Sequence, residues 1–173
     1  MLKEAHSVWR EAHELIVVEK KSIVLPIRDF FRGFHPHAAR SQAICALMEG
    51  AQQVCLMMAT LGAELESRSR RYLEEKAVFR GYLLDRMGSY LAEKEMRELD
   101  GEITEDYRRE GKTTTKRYSP GYRDFSMEAQ KVFFDLFGPM IPGLSLLPGF
   151  LLKPEKTITA VKGVLPGEAQ GGR

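Results

Sequence analysis

This 173-residue chain has no apolar run approaching the roughly 18 residues of a membrane-spanning helix. Its N-terminus, "MLKEAHSVWREAHE", is polar and lacks the apolar core of a secretory signal. Both absences lead us to expect a cytoplasmic protein. There is no excess of one charge: the formal net charge is +2, which demands neither nucleic acid nor an anionic membrane as partner. Cysteine is scarce. Cys45 and Cys55 stand in "AICAL" and "QVCLMM" without a CxxC or a neighbouring histidine. They read as buried free thiols rather than a disulfide or a metal pair. GxSxG, a phosphate-binding P-loop and GxGxxG are all missing, which argues against a self-contained hydrolase or a nucleotide-driven enzyme. No catalytic residue and no metal ligand set is assigned. His6 and His13 share a helix face but lack a third ligand, and "HPH" at 35–37 carries nothing alone.

What is present suits one globular domain over residues 1–165, with 166–173 as a disordered tail. The composition, 43% hydrophobic and 29% charged, supports a core without staples. Leu2, Ala5, Trp9, Ala12 and Ile16 predict an amphipathic helix over 2–20. "SIVLPI" is at most an edge strand because of Pro26, and "FRGFHPHAAR" reads as a loop. Residues 41–50 predict a helix stopped by Gly50, and "QQVCLMMAT" a buried strand. Trp9 and Phe30-Phe31 either complete the core or form a partner surface.

Helical spacing returns over 61–77 and again over about 78–109. The second stretch has a stripe of Phe79, Leu83, Met87 and Tyr90, then Met96, Leu99, Ile103 and Tyr107. The phase slips between the halves, so we expect a bend or two successive packing faces. Gly81, Asp85, Gly88 and Ala92 form a second stripe, which predicts close approach of another backbone or a flat ligand. Gly111 stops this helix, and the threonines after it favour a strand. Ser126 predicts a helix cap, and Phe133, Phe134 and Phe137 a packed face before Gly138-Pro139. Residues 143–154 and 156–164 read as two strands of a hairpin joined at Pro154-Glu155, the second buried on one side. The expectation is α+β: a largely antiparallel twisted sheet packed against several helices, one of them long.

The candidate site is "KRYSPGYRDF", 116–125. Pro120-Gly121 is a bend that a ligand can approach closely. Arg117 can grip a carboxylate or phosphate in a two-pronged contact, and a neighbouring tyrosine can stack on a ring or cover a cation. Read alone, the same residues also suit a structural turn.

"RYSPGY" resembles the Arg-x-x-Pro-Gly-Tyr signature of the activation domain of cobalamin-dependent methionine synthase, above all its short, free-standing members. The likeness extends in order through "ALMEGAQQVCLMMATLGAELESRSRRYLEEK", "GYLLDRMGSYLAEKEMRELDGEI", "RYSPGYRDFSMEAQKVFFDLF" and "LLKPEKTITAVKGV", about residues 41–164. The resemblance implies a domain that binds S-adenosylmethionine and stands over the corrinoid of a partner whose cobalt has become inactive. An electron donor, flavodoxin in the bacterial case, reduces cob(II)alamin, and methyl transfer from the sulfonium traps cob(I)alamin. Such a chain supplies position while the cofactors, including the cobalamin held by the partner, supply reactivity.

By this resemblance Arg117 binds the methionyl carboxylate, and Ser119, Gly121 and Tyr122 line the ligand. The long-helix glutamate of the full-length enzyme aligns with Ser89 and its last-strand tyrosine with Lys162. Its ligand aspartate near the domain start has no counterpart. The implied function is a stand-alone reactivation subunit for methionine synthase or another corrinoid protein. Two alternatives stand beside it: a corrinoid-protein-binding module of the same fold that does not bind S-adenosylmethionine, and an unrelated small-molecule enzyme.

Overall fold

The computed structural model describes residues 2–167; positions 168–173 of the expected tail lie outside the described residues. The chain begins with helix α1 (Leu2–Leu15) and strand β1 (Glu19–Pro26), followed by α2 (Ile27–Gly33), α3 (His37–Arg40) and α4 (Gln42–Leu47). Strand β2 (Gln53–Thr60), α5 (Glu64–Glu74) and the long α6 (Val78–Arg109) come next, then the two-residue β3 (Thr113–Thr114). A 3-10 turn (Met127–Ala129) leads into α7 (Gln130–Phe137), and a second (Gly138–Met140) follows it. Strands β4 (Ser145–Leu147), β5 (Leu151–Lys153) and β6 (Thr157–Leu165) close the fold. The order of the main sheet is β1-β2-β6-β3, antiparallel throughout, with β1 at one edge. This is the expected α+β class with a long helix.

β2 is apolar from Val54 to Ala59 because both of its faces are covered. Val54, Leu56 and Met58 join Phe30, Phe34, Phe125, Phe133 and Phe137 on one side. Cys55, Met57 and Ala59 meet Met96, Leu99 and Ile103 of α6 on the other. The first half of α6 packs elsewhere, with Leu84, Leu91 and Ala92 against Val8, Ala12, Leu61, Leu65 and Tyr72 of the α1–α5 region. The phase slip in α6 is therefore two successive packing faces.

Several expectations are corrected. In the first half of α6 the buried stripe is Gly81, Leu84, Gly88 and Leu91, whereas Phe79 and Tyr90 are about half exposed. The small residues win because α5 lies against them: a Cβ on Gly81 would stand 3.0 Å from the Ser69 carbonyl oxygen. Trp9 likewise lies at the surface near Tyr90, while Val8 and Ala12 enter the core. Phe30 is fully buried. Residues 31–40 are not a loop: α2 runs to Gly33 and α3 starts at His37, because Phe34 and Ala38 anchor both turns in the core. Cys45 is exposed rather than buried, on the outer face of α4; Cys55 is buried, and both are free thiols.

The predicted hairpin does not form. Residues 145–153 fold back on themselves as the β4–β5 pair, turning through Pro148-Gly149, where Gly149 has φ of 80°. β6 instead runs between β2 and β3. It is buried on both faces from Thr159 to Val164 rather than on one, because α6 covers the side carrying Lys162. Lys162 is tolerated there by its ion pair with Asp100 at 2.5 Å and its hydrogen bond to the Thr104 hydroxyl at 2.5 Å. Buried charge without such partners is strongly unfavourable.

Candidate functional site

The bend at 116–125 is tied to the fold at three points. Tyr118 exchanges backbone hydrogen bonds with Val161 of β6, at 2.9 and 2.7 Å. Phe125 is buried in the aromatic core beside Phe34. The Asp124 carboxylate accepts from the Ser41 hydroxyl at 2.8 Å and from the Gln42 backbone N–H at 2.6 Å. It thereby helps Ser41, which accepts from the Ile44 N–H, to cap α4. The Ser41 hydrogen bond, followed by those from the backbone, holds the Asp124 carboxyl below its ordinary range. Inside the bend, Gly121 has φ of 87° and donates its N–H to the Phe125 carbonyl at 2.8 Å. That conformation favours glycine.

Held this way, the bend forms one wall of a cavity of about 480 Å³. Arg117, Tyr118, Ser119, Pro120 and Tyr122 come from the bend, Glu93 from α6, Gln130 from α7, and Thr157, Ile158 and Thr159 from β6. Arg117 donates a hydrogen bond directly to the Glu93 carboxylate and forms an ion pair with it in the cavity lining. Their side chains are 23% and 42% exposed, so the pair stands at the rim. Deeper in, the Thr159 hydroxyl donates to the Gln130 side-chain oxygen at 2.8 Å, and both residues are buried.

Of the residues singled out by sequence, Arg117, Ser119 and Tyr122 line this cavity; Gly121 shapes the turn beside it. Ser89 and Lys162 lie apart from it. Ser89 accepts from the Lys156 ammonium at 3.1 Å, and Lys156 also pairs with Asp85 at 2.6 Å. Asp85 is thus a polar contact to Lys156 just before β6, and Gly81 and Gly88 of the same stripe lie against α5. Lys162 points toward α6 on the opposite side of the sheet from Thr159 and Val161.

Sequence reasoning missed Glu93, Gln130, Thr157 and Thr159. The signal for Glu93 was its spacing of four from Ser89, one helical turn on and on the same face. Nothing in the sequence marked Gln130 or the threonines: the threonines reach the cavity because β6 passes beneath the bend, and Gln130 because the start of α7 meets Thr159 there. Among the described residues no group of histidine, cysteine or carboxylate side chains could hold a metal ion, and no helix is long and apolar enough to cross a membrane.

The fold and site together define an α+β chain in which a proline-glycine bend at a sheet edge and a long helix enclose an ion-paired cavity. No family model matches the sequence, and no curated protein matches it. Among solved structures, the chain is similar to the crystal structure of the MetH reactivation domain bound to AdoHcy, with 14% identity and a TM-score of 0.48. The likeness covers 69% of this chain and 41% of that one, so this chain spans well under half of its length. A similarity of this size carries neither ligand nor partner over to this chain.

Proposed function

We propose that the chain is a stand-alone reactivation subunit. It binds S-adenosylmethionine in the cavity beneath the "RYSPGY" bend and docks on a corrinoid methyltransferase such as methionine synthase. The observation that carries this reading is the opposed Arg117 and Glu93 at the cavity rim. An α-amino acid presents a carboxylate and an ammonium on one carbon. This guanidinium–carboxylate pair is complementary to both once the ligand parts it: Arg117 exchanges Glu93 for the ligand carboxylate, and Glu93 takes the ammonium. A cavity of about 480 Å³ accommodates the nucleoside as well.

When bound, S-adenosylmethionine supplies an activated methyl group to the reduced corrinoid of the partner. The chain's own residues position it. Arg117 and Glu93 fix the amino-acid end, the open backbone at Ser119-Pro120 allows close approach, and the exposed Tyr122 covers the outer face. An electron donor, flavodoxin or another, acts on the partner's cob(II)alamin.

The test is calorimetric titration of S-adenosylmethionine into the wild type, Arg117→Met and Glu93→Gln. One charge-assisted hydrogen bond at a part-exposed rim contributes about 1.5–3 kcal/mol, so Arg117→Met is expected to weaken binding roughly ten- to hundredfold. Absence of heat with the wild type would leave the non-binding corrinoid module as the reading. Wild-type binding untouched by Arg117→Met would remove the ligand from this cavity. Where binding holds, adding the protein and a reductant to an inactive cob(II)alamin methionine synthase restores turnover.

A further inference from the structure

We propose that Gln130 is the residue by which this cavity selects an adenine-bearing ligand, a proposal that rests on the S-adenosylmethionine reading above. Gln130 lines the cavity yet is only 8% exposed. A side-chain amide offers one acceptor oxygen and two N–H donors. The oxygen is committed: the Thr159 hydroxyl, itself 2% exposed, donates to it at 2.8 Å. That bond holds the oxygen end of the amide on Thr159 and leaves the nitrogen end to the cavity. Among the described residues the Gln130 Nε2 has no hydrogen-bond partner, so its donors are free for whatever enters the cavity.

The geometry decides which end of the ligand arrives there. Arg117 and Glu93 hold the amino-acid end at the rim. Gln130 and Thr159 are the most deeply buried polar side chains of the lining, so they meet the opposite end. Ile158 and Tyr118, also in the lining, supply apolar surface suited to a flat base. The ring nitrogens of adenine accept hydrogen bonds in the plane of the ring. An amide N–H held in place by Thr159 is the matching donor. A base lacking that acceptor leaves a desolvated donor unpaired, and loss of such a pairing is where polar sites discriminate most strongly.

The experiment titrates S-adenosylhomocysteine, and deaza analogues that each replace one adenine ring nitrogen by C–H, into the wild type, Gln130→Met and Gln130→Glu. Thermal melts confirm that each variant is folded, and Gln130→Glu keeps the side-chain shape while removing the donor. The wild type is expected to reject one deaza analogue by about tenfold, the scale of one hydrogen bond. Both variants are expected to bind S-adenosylhomocysteine about tenfold more weakly and to treat it and that analogue alike. Undiminished affinity in both variants, or discrimination that persists in them, overturns the assignment of Gln130 while leaving the cavity as the site. Failure of the wild type to bind either S-adenosylmethionine or S-adenosylhomocysteine overturns the S-adenosylmethionine reading and this inference with it.

Discussion

Replacing Gly88 by alanine, and comparing it with the same change at Gly101, isolates the packing that positions β6. Both glycines lie inside α6, where alanine is favoured over glycine by about 1 kcal/mol. A methyl at Gly101 would meet nothing within 4 Å. A methyl at Gly88 would stand 2.5 Å from one Leu65 methyl, 3.2 Å from the other and 3.2 Å from Lys156 Cε. Leu65 is fully buried among Val8, Ala12, Leu84 and Leu91, so it cannot rotate away without displacing neighbours. Overpacking of this kind costs about 1–3 kcal/mol. Gly101→Ala is therefore expected to stabilise by up to about 1 kcal/mol. Gly88→Ala should lose all of that gain and up to about 2 kcal/mol more.

Urea unfolding measures the difference, and the melting temperatures should separate by about 2–4 °C per kcal/mol for a chain of this size. Equal stabilisation by the two substitutions would refute the close approach of α5 to α6. The site is coupled to this packing, because Lys156 sits against Gly88 and leads directly into Thr157–Thr159 of the cavity. Gly88→Ala should accordingly weaken ligand binding more than Gly101→Ala does, read by the same calorimetry.

Burial alone would raise the carboxyl of Glu11, but hydrogen bonds from Tyr72, Arg80 and Arg68 together outweigh it and hold it below its ordinary 4.5. A depressed carboxylate stabilises the fold above its unfolded value, and that contribution is lost as pH falls through the folded value. The urea midpoints of wild type and Glu11→Gln should therefore differ near neutral pH and converge as pH falls below the ordinary carboxylate range; a constant gap would exclude the linkage. Lys162→Met strands Asp100 and should cost about 3–5 kcal/mol, whereas adding Asp100→Leu should recover most of it; a double variant no better than the single would refute the pairing. A thiol reagent at neutral pH should label Cys45 alone in the native protein, because burial pushes the Cys55 thiol up to about 11, and Cys45→Ala should abolish that labelling.

The sequence was most legible where a local pattern dictates a local structure. The span of α6, the two-sided burial of β2, the edge position of β1 and the Ser126 cap all follow from hydrophobic period, proline placement and capping chemistry. The bend at Pro120-Gly121 was legible for the same reason. The hairpin misreading shows the limit: Pro148-Gly149 and Pro154-Glu155 are both turn signals, and the choice between them lay in β2, some hundred residues earlier. Period alone likewise could not tell which stripe of α6 faces α5, since large apolar residues and small ones both satisfy it.

The sequence by itself determined the class of fold and the bend with Arg117 at its start. Only the tertiary structure decided what stands opposite that arginine. Glu93 lies 24 residues away along the chain and Thr159 lies 42 away. They join the site because the sheet order carries β6 beneath the bend while α6 packs across one face of that sheet. A side chain's direction from its own element is a local property, but its neighbour across a cavity depends on how the elements pack. That is why the arginine could be read from the sequence, whereas the carboxylate facing it and the amide behind it could not.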